Sequence, residues 1–503
     1  MMGERLLIKD ALVADPASGA AEPRDLLIEN GRIGCVAPPA TIEGAGIDVH
    51  HAPNRLILPG LVNAHTHGHA NLVKGVADRW TLEASLTNGP WLSGARDPET
   101  IYLSTLVGAL DMVSGGCTSA FDLVYEFPLP TLAGFRAAAE ACADAGMKAV
   151  LAPMVADRTL FAAIPGLLDA LPADLRSALT SFDLGSGDAT LAAIEEIIAA
   201  RDSLPDGIEI AIAPTIPHHC SEEFLSRCLR LAERHGLLVH MHLAESRLQA
   251  VAAQKLWGMS PVRYLDRQGA LGPDFIAAHG VWLDEADLDL LAERGSSIAH
   301  IPASNFRLGS GMAHVRQMLE RGINVGLATD GANSSDALSM LQAMRLASYG
   351  SRLFAGSRDD WLSAAETLRL ATMGGADLLG LDHAGRIEPD AVADLVFFDL
   401  GHIDFIPLND PVNQLVTAAG SAAVTDVMTD GEFIVRDGKH TRIDTSDLQA
   451  RATEAAERQL KTLAEGRAFA ARLEPHVVAF AEKMAGEPLA IERFIHPQGG
   501  KGL

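Results

Sequence analysis

From about residue 59 to residue 389, short apolar runs alternate with helical patterns, and no other feature of this sequence limits its fold as strongly. Strand-like runs fall at 61–64, 118–123, 148–153, 208–214, 237–243, 275–278, 297–300 and 324–329. Helical stretches lie among them at 99–113, 132–145, 191–201, 222–235, 285–294 and 315–321, with further helical patterns at 257–266 and 337–347. Alternation of this kind joins parallel strands through helical crossovers. Eight such strands predict an α/β fold built as a closed (β/α)8 barrel of the TIM type, although the pattern alone also suits an open doubly wound sheet.

The chain ends read differently. Residues 4–57 hold short strands such as Arg5-Leu-Leu-Ile-Lys9 and Asp25-Leu-Leu-Ile-Glu29, and Asn30-Gly31 is a hairpin turn signal. Short strands return after Pro389, with Asp430-Gly431 as a second turn of that kind. Neither set has a partner sheet of its own. The economical reading is one small discontinuous β-sandwich domain, formed by residues 1–58 and 390–442 and flanking a catalytic barrel of residues 59–389. Residues 443–503 read as a C-terminal helical extension. In it Ser446-Asp-Leu-Gln449 fits a capping box, and one helix runs to about Leu473, breaks at Pro475 and resumes over 477–484. Its expected role is packing on the body or a subunit contact.

Composition excludes several functional classes. Hydrophobic residues make up 48% of the 503, enough for a large core, and the formal net charge of −25 disfavours nucleic acid and anionic membrane as partners. The N-terminus lacks the apolar core of a signal peptide, and no window has the length of a membrane span. The five cysteines are scattered, with no Cys-x-x-Cys pair. These features lead us to expect a cytoplasmic protein.

Barrels carry their chemistry at the C-terminal ends of the strands. After the first predicted strand stand His65 and His67, which share one face because they are two residues apart. The fifth ends in His240-Met-His242-Leu-Ala-Glu245, the sixth in His279, the seventh in His300 and the eighth in Asp330. Five strand ends in one barrel thus bear metal-type ligands. A borderline divalent metal such as zinc accepts imidazole nitrogen and carboxylate oxygen. A metal-bound water beside a proton shuttle, here Glu245 and His279, is the equipment for hydrolysis. Spacing does not choose between His240 and His242, which share a face, and does not count the metals. Lys148, the nearest candidate for a bridging lysine, stands at the start of its strand and so favours one metal.

These residues resemble the amidohydrolase superfamily, and within it the mononuclear deaminase and chlorohydrolase branch. The matching segments are Pro59-Gly-Leu-Val-Asn-Ala-His-Thr-His67, His242-Leu-Ala-Glu245, Ala278-His-Gly-Val-Trp-Leu283, His300-Ile-Pro-Ala-Ser-Asn305 and Thr329-Asp-Gly-Ala332. The resemblance implies one divalent metal, zinc or iron, held by His65, His67, His242 and Asp330. It implies Glu245, His279 and Asp330 as the groups that move protons. The implied reaction is attack by a metal-bound hydroxide on a ring carbon of a nitrogen heterocycle, with loss of ammonia. Cleavage of a cyclic amide, or loss of halide or alkylamine from a triazine-like ring, is the alternative. A dimer or tetramer is expected on the same basis. The chain departs from the nucleoside deaminases after strand 4, where Thr215 and His218 replace a histidine and a tyrosine. His218 is assigned to substrate contact, and Trp91 either to substrate contact or to packing.

Overall fold

The computed structural model describes residues 5–44, 46–93, 97–179, 184–354 and 357–494. Strands β1 (Arg5–Ala14), β2 (Ala21–Glu29), β3 (Arg32–Ala37), β4 (Asp48–His51) and β5 (Arg55–Pro59) precede the alternating region. Within that region lie β6 (Leu61–Thr66), β7 (Cys117–Val124), β8 (Lys148–Val155), β9 (Ile208–Ile210), β10 (Ala213–Pro214), β11 (Val239–Leu243), β12 (Phe275–His279), β13 (Ser297–His300) and β14 (Val325–Leu327). All of their ladders are parallel. β6 through β10 form one curled sheet and β11 through β14 another. A parallel bridge from Ile212 to Val239 joins them on one side. On the other side the Asp330 N–H donates to the His65 carbonyl at 3.0 Å. The predicted fourth strand is split at Ala211-Ile212, and the first runs two residues beyond expectation, so that His65 lies inside β6.

Strands from the two chain ends meet, as the unpaired edges demanded. β15 (Leu395–Asp399) pairs antiparallel with β5, and β16 (Val424–Thr429), β17 (Glu432–Arg436) and β18 (Lys439–His440) extend the same nine-stranded sheet. Lys148, at the start of β8, bonds both Asp394 carboxylate oxygens at 3.1 Å and Asp430 at 2.6 Å. It therefore ties the N-terminal end of the barrel strands to this sheet, at the end remote from the histidines.

The C-terminal extension differs from expectation in two places. Its first helix, Leu448–Thr462, has Asp447 at the cap with no side-chain cap bond, so Ser446 forms no capping box. The break falls at Leu463, and the next helix, Ala464–Ala485, runs straight through Pro475. Proline costs a helix one hydrogen bond. Here Leu473, Val477, Ala481 and Met484 are buried in one apolar cluster on both sides of it, and burying a Leu, Val or Met side chain is worth about 1.5–3 kcal/mol. The extension thus packs on the body. Among the described residues no helix is long and apolar enough to cross a membrane.

Candidate active site

The strand ends converge as the alternation requires. β6 is buried throughout, and its register is fixed against the loop after β14 by Asn63. The Asn63 amide donates to Thr329 Oγ1 at 2.8 Å, and its oxygen accepts from the Thr329 N–H at 3.1 Å. Thr66 Oγ1 donates to the Asp330 carbonyl at 3.1 Å. These bonds hold His65 and His67 beside Asp330. Asp330 and His279 both take a left-handed backbone conformation, with φ of 68° and 72°. Single non-glycine residues of this kind are costly and cluster at functional sites.

The candidate imidazoles and the Asp330 carboxylate bring their donor atoms together at the strand ends. His67 Nδ1 donates to the Leu123 carbonyl at 3.4 Å and His242 Nδ1 to the Thr215 carbonyl at 2.9 Å. These bonds leave an unprotonated Nε2 on each ring, and the two Nε2 atoms face one another at 3.2 Å. Asp330 Oδ1 lies 3.3 Å from His67 Nε2 and 3.6 Å from His65 Nε2. Donor atoms placed tetrahedrally about zinc stand about 3.3 Å apart, given bonds of about 2.0–2.1 Å. His65, His67 and Asp330 each offer an atom within 4.8 Å of the others, as do His65, His242 and His279. The residues fit a divalent metal. His240 stands behind this ring, with its Nε2 at 3.0 Å from His65 Nδ1 and its ring 4.4 Å from Phe121.

Burial sets the charges. It brings His65 down to about 4 and holds His242 well below its usual value, so both imidazoles are neutral and ready to bind a metal. Burial alone would raise the Asp330 carboxyl, but the His65, His67 and His279 rings hold it well below the ordinary range. Glu245 goes the other way. Burial first, then the charges of Asp330 and Glu83, push it well above its usual value. Its Oε2 is 3.5 Å from His279 Nε2, and His279 Nδ1 donates to Asn305 Oδ1 at 2.9 Å. One carboxyl whose protonated form burial favours and one oriented imidazole thus flank the ligand ring.

A cavity of about 210 Å³ opens onto this ring. His67, His242, Glu245, His279 and Asp330 line its inner end, and Trp91 lines it further along the wall. His218 is not among its lining residues. That side chain is buried against Trp257, with ring centroids 4.7 Å apart, and its neighbour His219 faces the cavity instead. The turn Pro217–His219 explains the exchange, since a tight 3₁₀ turn sends successive side chains in different directions. Thr215, singled out in the sequence after strand 4, lines the cavity, as do His69, Tyr125, Glu126 and Arg158, which were not among the residues predicted from the sequence. Each follows a strand end by a few residues, so the strand-end rule finds them once it is extended beyond metal-type side chains.

A parallel barrel with buried imidazoles and a carboxylate at its strand ends is the architecture of a metallohydrolase. The chain belongs to the amidohydrolase family, whose model matches residues 56–434. It is 33% identical over 442 residues to a 5'-deoxyadenosine deaminase of Methanothermobacter thermautotrophicus, covering 87% of this chain and 95% of the relative. A 5-methylthioadenosine/S-adenosylhomocysteine deaminase of Thermococcus kodakarensis is 32% identical over 413 residues, 82% of this chain and 89% of the relative. Among solved structures, a zinc-bound adenosine deaminase of Xanthomonas campestris superposes with a TM-score of 0.79 at 30% identity, covering 91% and 98% of the two chains. A zinc complex of an atrazine chlorohydrolase from Arthrobacter aurescens gives 0.80 at 26% identity, covering 90% and 100%.

Proposed function

We propose that this protein is a metal-dependent hydrolytic deaminase that releases ammonia from an amino-substituted nitrogen heterocycle, with adenosine-like compounds as the leading substrate class. The observation that carries the reading is the buried Glu245 carboxyl, placed 3.5 Å from His279 beside the ligand ring. Relatives at 32–33% identity that are named for adenosine-like substrates supply the substrate class.

In this reading His65, His67, His242 and Asp330 hold one divalent ion, zinc before iron. When bound, the ion supplies Lewis-acid activation of water. Glu245 gives its proton to the ring nitrogen next to the carbon under attack and so draws negative charge away from that carbon. His279, oriented by Asn305, accepts a hydrogen bond from the water at Nε2. Asp330 is anionic and takes the proton that the water loses. That proton leaves with the amino group as ammonia, the carbon keeps the water oxygen, and the oxygen's remaining proton returns to Glu245. The same groups would serve loss of chloride or an alkylamine, and the likeness to an atrazine chlorohydrolase keeps that as the second reading.

The division into a barrel at 59–389, a flanking domain of 1–58 and 390–442, and an extension from 443 belongs to this proposal. A sandwich form for the flanking sheet is supported by one apolar cluster shared by Ile8, Leu26, Ile57, Leu395 and Met428. Assembly as a dimer or tetramer is proposed from the family resemblance. The test of function is ammonia release across aminopurine nucleosides, aminopyrimidines, pterins and aminotriazines, with chlorotriazines assayed for halide. Release from adenosine-like compounds is expected. Release of halide without ammonia would move the assignment to the second reading.

A further inference from the structure

The C-terminal extension reaches the substrate cavity through the helix Leu82–Ser93. Trp91, which lines the cavity, lies on that helix. A Cβ added at Gly466 would collide with Trp91 Cε3 and stand 3.1 Å from Cδ2 and 3.2 Å from Cζ3. Phe469 meets the same indole edge-on, with ring centroids 6.1 Å apart and planes at 89°. Asn88 Nδ2 donates to Glu474 Oε2 at 2.8 Å, and Gln459 Nε2 donates to the Leu92 carbonyl. The extension also packs behind a second wall of the cavity. Its Leu473 and Val477 share a cluster with Leu160 and Phe161, which follow β8 and line the same space.

We propose that Gly466 is a specificity-setting positioning residue: by lacking a side chain it lets Trp91 stand back from the cavity and leaves room for the part of the substrate remote from the reacting carbon. The wall here combines Leu86, Trp91, Leu160 and Phe161, so that part is apolar or weakly polar. An alanine at 466 needs space that the indole occupies, so the indole must shift, and Trp91 lines the cavity. The chemistry at the ligand ring is untouched, because Gly466 contacts none of it. This inference rests on the deaminase reading for its substrates, although not for the contact itself.

The test has two arms, run on the full-length, metal-loaded protein. In the first, the five tryptophans are labelled with 5-fluorotryptophan, and the Trp91 resonance is assigned by its loss in Trp91→Leu. Gly466→Ala is expected to shift that resonance and leave the other four in place. In the second arm, turnover is compared between adenosine analogues with a small and a bulky apolar 5' substituent. Gly466→Ala lowers the bulky-to-small ratio of kcat/KM by about tenfold, the scale of a lost methylene-sized space. Trp91→Leu moves the ratio the opposite way, and in its background Gly466→Ala has no further effect. An unmoved Trp91 resonance overturns the proposal. So does a moved resonance with an unchanged ratio or, should Gly466→Ala fail to fold, an unchanged ratio in Trp91→Leu. If the parent protein turns over none of the series, the deaminase reading fails, while the first arm still decides whether Gly466 sets Trp91.

Discussion

His67 and His242 face each other through Nε2 atoms 3.2 Å apart, and each ring has its other nitrogen committed to a backbone carbonyl. Two imidazole lone pairs at that distance repel unless a proton or a cation lies between them. Burial opposes the proton, since it holds His242 well below its usual value. A metal ion would satisfy both rings, and in the proposed reading Asp330 supplies the anion that the ion needs.

The elevated pKa of Glu245 fixes the direction of a pH effect. A proton donor whose pKa is raised stays loaded above the ordinary carboxylate range and is emptied as pH rises through the shifted value. Activity should therefore fall on the alkaline side with an apparent pKa well above that of an ordinary glutamate. Glu245→Gln should lower kcat by about 10²–10⁴-fold and abolish that limb. The pH profile of kcat checks both. A limb that survives in Glu245→Gln assigns the titration elsewhere.

Asn305 is buried and accepts from His279 Nδ1 at 2.9 Å, which fixes the tautomer that leaves Nε2 free toward Glu245. Asn305→Ala should lower kcat about 10–100-fold, the usual cost of removing a partner that orients a histidine, and metal content should be unchanged. Steady-state kinetics with metal analysis decides this. Equal kcat in the variant would remove the orienting role.

Lys148 and Asp394 hold the barrel to the sheet of the chain ends, and Asp394 is almost fully buried. Lys148→Met leaves that carboxylate without its main counter-charge, at a cost of about 3–5 kcal/mol. Lys148→Met combined with Asp394→Leu should recover most of the loss, because the stranded charge is gone. Urea unfolding of the two variants measures it. A single variant as stable as the parent would contradict the pairing.

Much of the site was legible because a barrel turns sequence position into location. His65, His67, His242, His279 and Asp330 each end an apolar run, and the parallel sheet gathers those ends. What stayed hidden depends on packing or on local turns. His240 and His242 share a strand face, and only the third dimension places one behind His65 and the other opposite His67. His218 and His219 lie in one 3₁₀ turn, where neither strand nor helix periodicity predicts direction. The run past Pro475 depends on tertiary burial that outweighs a local propensity. Trp91 was readable as either packing or contact, and it lines the cavity while packing on Phe469.

Metal content of three purified variants tests the central claim most directly. His65→Ala and Asp330→Ala should retain no stoichiometric zinc or iron by mass spectrometry, whereas Glu245→Gln should retain one equivalent while its kcat falls about 10²–10⁴-fold. An Asp330→Ala protein with a full equivalent of metal, or a Glu245→Gln protein with the parent's kcat, would contradict the account.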